Sequence, residues 1–211
     1  QGALCAEEGH IATHETGAIE ATGHKVLPLP CKNGKITAEQ VEIYCRQHFA
    51  SAVQEHTVQP GMVYISFPTE CGALYSKAEL EQLHAVCRAY EIPLYLFIDG
   101  ARLGYGLASR QSDMALSDVA KLCDVFYIGG TKCGALFGEA VVIANAAYQK
   151  DFRYLIKQKG GMLAKGRMLG IQFDTLFTDG LYFEICRKAV EQAAALRRAF
   201  QEKGVQMYGD S

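Results

Sequence analysis

The stretch IPLYLFID, residues 92–99, is a nearly continuous apolar run that ends in an acid, Asp99. Runs of this kind are typical of strands that are covered on both faces, as in a parallel sheet packed between helices. We therefore predict a buried strand here within an α/β fold. The acid at its end stands where open α/β sheets bind their ligands, beyond the carboxyl ends of the strands.

Two more apolar runs follow closely along the chain. DVFYIGG (124–130) and GEAVVIAN (138–145) are separated by only seven residues, TKCGALF. A parallel pair needs a crossover of about a dozen residues or more, so the second run is expected to lie antiparallel to the first. The sequence thus predicts a three-layer α/β/α fold with a mostly parallel sheet and one antiparallel strand.

The rest of the chain supplies helices and one further strand. Thr37 is a natural N-cap before a helical apolar pattern, and Ser76 with Glu79 has the pattern of a capping box. GMVYISF (61–67) predicts a strand, whereas the prolines of KVLPLP (25–30) favour a strand end or a loop. Further helices are predicted at residues 114–122, 151–159 and 179–202.

The composition argues against several kinds of partner. The chain carries 21 Lys and Arg against 23 Asp and Glu, spread without blocks, so it has no electrostatic footprint for nucleic acid or an anionic membrane. No apolar run reaches the roughly 18 residues of a membrane span, and no signal-peptide pattern opens the sequence. These features predict a cytoplasmic protein whose partner is a small molecule.

Cysteines and histidines do not form a metal-binding pattern. The eight cysteines are scattered and contain no C-x-x-C pair, which favours reduced core thiols over zinc ligands or a redox couple. Cys133 is expected to be a small packing residue. His10 and His14 would share one face of a helix as a metal pair, but the glycines on either side favour a loop, and no metal site is predicted.

A lysine is expected to lie close to Asp99. Lys132 follows the predicted strand at 124–130, so both side chains can converge on one pocket at the carboxyl edge of the sheet. Pyridoxal 5'-phosphate (PLP) chemistry needs such a pair: a carboxylate keeps the pyridine nitrogen protonated, and a lysine forms a Schiff base with the aldehyde. Arg102, in Asp-Gly-Ala-Arg, would add a bidentate partner for a substrate carboxylate.

Three segments carry a resemblance to a known family. HIATHETGA (10–18), FIDGARLGYGL (97–107) and GGTKCGALFGEAVV (129–142) occur in an order and at separations similar to those of threonine aldolases. The chain therefore resembles the threonine aldolase and β-eliminating lyase family of PLP enzymes, of the aspartate aminotransferase fold type (fold type I). The resemblance covers most of residues 5–175 and implies the large domain of a PLP-dependent transferase-like enzyme, assembled as a homodimer or homotetramer.

The resemblance also implies roles for four residues. Lys132 would be the Schiff-base lysine, Asp99 the partner of the pyridine nitrogen and Arg102 a ligand of the substrate carboxylate. His10 would stack on the cofactor ring and contribute to catalysis.

The sequence departs from the family pattern at two places. Glu70 stands where the family carries a histidine beside the substrate's β-hydroxyl; it is a candidate catalytic base, or equally a turn residue bonded to nearby backbone. The family places an arginine for the cofactor phosphate after Gly-Gly-Met, but Leu163 follows that motif here. Lys165 is the candidate cofactor ligand, with Arg167 as the neighbouring cation and a surface role as the alternative.

The activity implied by the resemblance is cleavage of the Cα–Cβ bond of a β-hydroxy amino acid, converting threonine or allo-threonine to glycine and acetaldehyde. β-Elimination from another amino acid is an alternative, and a PLP-free ligand-binding α/β protein is an alternative of a different class. Residues 1–203 are expected to form the PLP-binding large domain without its N-terminal part, because a phosphate-binding turn has no room before His10. Residues 204–211 are expected to begin a truncated small C-terminal domain.

Overall fold

The computed structural model describes residues 1–91 and 93–207. Its strands are β1 (Gly2–Ala6), β2 (Lys25–Leu29), β3 (Pro60–Ser66), β4 (Tyr95–Asp99), β5 (Val125–Gly129) and β6 (Glu139–Ile143). They form one sheet in the order β2-β1-β3-β4-β5-β6. The pairs from β2 to β5 are parallel, and β6 is antiparallel to β5. The predicted α/β fold with a mostly parallel sheet and one antiparallel strand is confirmed.

The helices of the described residues connect and flank these strands. They are α1 (His10–Thr13), α2 (Ala38–Phe49), α3 (Lys77–Arg88), α4 (Leu103–Ala108), α5 (Leu116–Leu122), α6 (Phe152–Gln158), α7 (Arg167–Phe177) and α8 (Leu181–Glu202). Five of them match predicted helices; α1, α4 and α7 are not indicated by the sequence pattern. None of the helices within residues 1–91 and 93–207 is long and apolar enough to cross a membrane.

Capping boxes fix the starts of α2 and α3. The Thr37 side chain accepts a hydrogen bond from the backbone N–H of Gln40 at 3.2 Å, and the Gln40 side chain accepts one from Thr37 at 2.9 Å. Ser76 and Glu79 exchange the equivalent bonds at 3.2 and 2.7 Å. Both predicted helix starts are confirmed, and in each case the pair satisfies amide groups that the first turn would otherwise leave without partners.

Two strand predictions need correction. KVLPLP, expected as a strand end or loop, forms β2, which tolerates Pro28 because an edge strand needs ladder hydrogen bonds on one side only. The strand predicted at 92–99 begins at Tyr95; Ile92 lies outside the described residues. Pro93 has no N–H to contribute to a ladder, which is consistent with the later start.

Apolar clusters cover both faces of β1. Leu4 and Ala6 belong to the main core, which also contains Leu96 and Ile98 of β4, both at most 1% exposed. Complete burial of such a side chain contributes about 1.5–3 kcal/mol. The opposite face of β1 packs against Ile11 in a smaller cluster. That contact anchors α1, and with it His10, to the end of β1.

The cysteines follow the predicted pattern. Six of the eight are buried, and only Cys31 and Cys71 are partly exposed, as expected for core thiols. Burial raises the pKa of the Cys87 and Cys123 thiols to about 12, which keeps both protonated in the core. Cys133 is completely buried, as expected for a packing residue.

The last helix, α8, ends at Glu202. Residues 205–207 have no regular secondary structure, and residues 208–211 lie outside the described part. The division into a large domain at 1–203 and the start of a small domain at 204–211 stays a prediction.

Candidate active site

A cavity of about 190 Å³ opens at the carboxyl edge of the sheet. It is lined by His10, Glu15, Ser66, Pro68, Glu70, Asp99, Ala101, Arg102, Tyr127, Lys132 and Glu139. It lies beyond the ends of β1 and β3, where the strand order changes direction, which is the usual ligand position in open α/β sheets. The five residues predicted to act on cofactor or substrate, other than Lys165, therefore share one cavity.

Asp99 is the last residue of β4 and only 6% exposed. Its Oδ2 accepts a hydrogen bond from the Tyr64 hydroxyl at 2.7 Å, and its Oδ1 accepts one from the backbone N–H of Ala101 at 3.0 Å. Burial and the Asp99 charge raise the pKa of Tyr64 far above its ordinary value, so its hydroxyl stays protonated and donates. The carboxylate is thus held in a fixed orientation at the wall of the cavity.

The turn after Asp99 packs closely against β5. A Cβ placed on Gly100 would lie 1.9 Å from the carbonyl oxygen of Tyr127, so only glycine fits at this position. The turn leads directly to Arg102, which precedes α4 and is half-buried in the cavity wall. A guanidinium at this point can bind a carboxylate in a bidentate manner.

Lys132 lies in the nine-residue connection between β5 and β6, residues 130–138, here called the lysine loop. The carbonyl of Gly130 accepts hydrogen bonds from the backbone N–H groups of Cys133 and Ala135, both at 2.9 Å. The Tyr105 hydroxyl of α4 donates to the carbonyl of Lys132. The backbone around the lysine is therefore fixed while its side chain reaches the cavity.

Glu70 joins the end of β3 to α1. Its Oε1 accepts hydrogen bonds from the Ser66 hydroxyl at 2.7 Å and from the backbone N–H of His10 at 3.0 Å. The second bond satisfies one of the N–H groups that the start of α1 leaves free. Its Oε2 is buried and has no hydrogen-bond partner among the described residues. Glu70 thus accepts one hydrogen bond from a nearby side chain and one from a helix 60 residues away in the sequence. Its Oε2 can still accept a hydrogen bond from another donor.

His10 and His14 lie on a one-turn helix and its C-cap, which corrects the predicted loop. The His10 ring contacts Glu15, with Nδ1 and Oε1 2.5 Å apart, and stacks on the His14 ring at 5.1 Å between centroids. The His14 ring makes an ordinary polar contact to the Thr13 hydroxyl at 2.6 Å. Within residues 1–91 and 93–207, no group of three or more His, Cys, Asp or Glu side chains could hold a metal ion.

Lys165 and Arg167 do not line this cavity in the part of the chain that the structure describes. Both are exposed, Lys165 in the turn before α7 and Arg167 at the first position of that helix. Their role toward a phosphate stays a prediction.

Four polar or titratable side chains of the cavity are not indicated by the sequence reasoning: Glu15, Ser66, Tyr127 and Glu139. Glu139 carries the clearest signal that could have identified it. It is the acid near the start of the predicted strand 138–145, and a strand that runs antiparallel to β5 begins at the edge of the sheet where β5 ends. Its Oε2 accepts the backbone N–H of Gly130 at 2.6 Å.

Known proteins are similar to this chain over most of its length. A low specificity L-threonine aldolase of Pseudomonas sp. (strain NCIMB 10558) is 33% identical to this chain, over 85% of this chain and 51% of that protein. The low specificity L-threonine aldolase of Pseudomonas aeruginosa is also 33% identical, over 79% of this chain and 47% of that protein. The solved structure of Leishmania major threonine aldolase matches with a TM-score of 0.93 and 46% identity, over all of this chain and 60% of that one.

The chain thus spans about half the length of the curated relatives it matches. The model of the β-eliminating lyase family matches residues 1–208. With the cavity at the carboxyl edge and the likeness to threonine aldolases, this match confirms the predicted resemblance: the chain belongs to the β-eliminating lyase family.

Proposed function

We propose that the protein is a PLP-dependent lyase that cleaves the Cα–Cβ bond of a β-hydroxy amino acid, giving glycine and acetaldehyde from threonine or allo-threonine. The observation that carries the proposal is that Asp99 and Lys132 line one cavity at the carboxyl edge of the sheet. The names of the Pseudomonas and Leishmania relatives support the same reaction. The cytoplasmic location expected from the sequence is part of this proposal.

The donor set of the cavity fits PLP. An amine and a fixed, nearly buried carboxylate are the two groups that this cofactor requires, and His10 adds an aromatic ring in the same wall. Lys132 would hold the cofactor covalently, Asp99 would face its ring nitrogen, and His10 would stack on the ring. When bound, PLP supplies an electron sink for the bond that breaks at Cα.

The remaining cavity residues would act on the substrate. Arg102 would bind the α-carboxylate and so orient the bond to be cleaved. Glu70 would accept the proton of the β-hydroxyl at Oε2, because Oε1 is already engaged by Ser66 and the backbone of His10. A base at this point is what cleavage of a β-hydroxy amino acid requires.

Lys165 is proposed as a ligand of the cofactor phosphate. It is exposed and lies in a glycine-containing turn, where its ammonium group is accessible to an anion.

A homodimer or homotetramer is also proposed. Its support is a set of exposed large apolar side chains on and around α6 and α7: Tyr154, Leu155, Leu163, Met168 and Ile171, each more than half exposed. Exposed apolar side chains that adjoin one another mark interaction sites on soluble proteins.

The test is to add PLP to the full-length protein, record its visible spectrum and assay products. Acetaldehyde from threonine or allo-threonine supports the proposal, with Lys132→Ala as the inactive control. Pyruvate from serine or cysteine without acetaldehyde would instead assign β-elimination. A protein that stays colourless and forms neither product would favour the PLP-free ligand-binding alternative and refute the proposal.

A further inference from the structure

Glu15 lies in the turn after α1 and lines the cavity together with His10. The chain reverses direction directly after it: Thr16 and Gly17 both have left-handed backbone conformations, with φ of 52° and 75°. The carbonyl of Glu15 accepts a hydrogen bond from the backbone N–H of Ala18 at 2.9 Å, which closes the turn. Positive φ at both central residues is the pattern of a type I′ turn, so the backbone that carries Glu15 has a defined conformation beside the cavity.

The side chain of Glu15 contacts one nitrogen of the His10 ring. Its Oε1 lies 2.5 Å from Nδ1 of His10. An ionised carboxylate can only accept a hydrogen bond, so Nδ1 carries the hydrogen and donates. The partner of one ring nitrogen determines which tautomer a neutral histidine adopts. This contact is the one expected for the Nδ1–H tautomer, in which Nε2 is an acceptor.

The rest of His10 is held independently of Glu15. The backbone N–H of His10 donates to Oε1 of Glu70 at 3.0 Å, and the next residue, Ile11, is buried in the cluster on β1. His14 stacks on one face of the His10 ring, with 5.1 Å between the ring centroids and 26° between the ring planes. These contacts fix the backbone and cover one ring face, and the Glu15 carboxylate adds a constraint on the edge of the ring.

We propose that Glu15 is a positioning residue for His10: its carboxylate sets the plane of the ring at the cavity wall and selects the tautomer that carries hydrogen at Nδ1. The second face of the ring and Nε2 are then the parts of His10 that a ligand in the cavity can contact. That this ligand is PLP rests on the proposed function. The tautomer does not, because Glu15 contacts His10 in the protein without a cofactor.

The tautomer of His10 can be measured by NMR in the cofactor-free, full-length protein with ¹⁵N-labelled histidine. At about pH 9, above the ordinary histidine pKa of about 6.5, the rings are neutral, and the ¹⁵N shifts of Nδ1 and Nε2 show which nitrogen carries the hydrogen. The variant His10→Asn identifies the signals of His10 by their loss. We expect the Nδ1–H form to predominate in the parent, although free neutral histidine favours the Nε2–H form.

Glu15→Met removes the acceptor and keeps the length of the side chain. Both partners are partly exposed, 36% for the His10 side chain and 43% for that of Glu15, so water competes with the hydrogen bond. We therefore expect the tautomer ratio to shift toward Nε2–H by about tenfold, at the lower end for a hydrogen bond to a charged group.

Glu81→Met, an equal change at an exposed residue of α3, is the matched control and should leave the ratio unchanged. Circular dichroism checks the fold, and Glu15→Ala serves as the variant without an acceptor if Glu15→Met does not fold. A parent ring in the Nε2–H form would overturn the proposal, as would a ratio that the Glu15 variant does not change or that Glu81→Met changes equally. None of these results affects the assay for threonine cleavage, and failure of that assay leaves the tautomer measurement valid.

Discussion

Replacing Glu70 with glutamine changes one functional atom of the cavity wall. Oε1 of Glu70 accepts from the Ser66 hydroxyl and from the backbone N–H of His10, and a glutamine amide oxygen can accept both bonds. The N–H of His10 can only donate, so the amide oxygen must take the Oε1 position and the NH₂ group must take that of Oε2. The variant should therefore fold normally while it replaces the unpartnered acceptor with a donor.

The expected loss follows from the role of that acceptor. A positioned general base contributes about 10²- to 10⁴-fold to a rate. The two hydrogen bonds to Oε1 hold the Glu70 carboxylate in position. We expect kcat for threonine cleavage to fall by about 10³-fold, which corresponds to about 4 kcal/mol. KM should change little, because Arg102 and Lys132 are untouched.

Acetaldehyde formation measures turnover, and the visible spectrum after PLP addition measures cofactor binding. Glu81→Gln, an exposed change on α3, is the matched control and should behave like the parent. Ser66→Ala removes one of the two bonds to Oε1 and should cause a smaller loss than Glu70→Gln. If kcat of Glu70→Gln stays within about threefold of the parent, or if PLP binding falls as much as turnover, Glu70 supports the loop and is not the base.

Two further changes test the proposed cofactor site. Lys132→Ala should abolish the visible absorbance that PLP produces and lower turnover by several orders of magnitude, as measured by spectrum and product assay. Asp99→Asn should leave a folded, PLP-binding protein with almost no activity, because an amide cannot keep the ring nitrogen protonated; activity within a few-fold of the parent would limit Asp99 to a structural role.

Burial raises the pKa of Asp124, but hydrogen bonds from Asn145, the backbone of Leu96 and Arg88 outweigh it and lower the pKa overall. The lowered pKa stabilises the folded protein above about pH 4, and this stabilisation is lost as the pH falls through the pKa of Asp124 in the folded state. We therefore expect the free energy of unfolding of Asp124→Asn, measured by urea denaturation, to decrease less with falling pH than that of the parent.

The sequence predicts those parts of the fold and site that depend on burial. The apolar runs at β4 and β5 indicate strands covered on both faces, and the short connection after β5 indicates an antiparallel strand. Asp99 and Lys132 could therefore be assigned to one edge. By contrast, β1 is GALCA, a short run with a weak strand signal, and α1 is a single turn set by packing of Ile11 on the sheet.

The contacts within the site could not be read from local patterns. Glu70 bonds to His10 across 60 residues, and Tyr64 bonds to Asp99 across 35, so both depend on strand order and register rather than on neighbours in the sequence. Glutamates such as Glu15 are surface residues in most sequences, so the residue type alone does not indicate a place in the cavity. Their placement in the cavity follows only once β1 and β3 are known to be adjacent.

The strand order explains why the acid and the amine belong to β4 and β5. In the sheet, β4 lies between β3 and β5, so Asp99 is flanked by Tyr64 on one side and Tyr127 on the other, and both hydroxyls interact with its carboxylate. An acid on an edge strand would have one such neighbour at most. Because β6 runs antiparallel, its first residue returns to the edge where β5 ends, and one short loop brings both Lys132 and Glu139 to the cavity. A helical crossover to a parallel strand would instead have placed the first residue of that strand at the opposite edge, so the antiparallel turn itself supplies the lysine with a carboxylate neighbour.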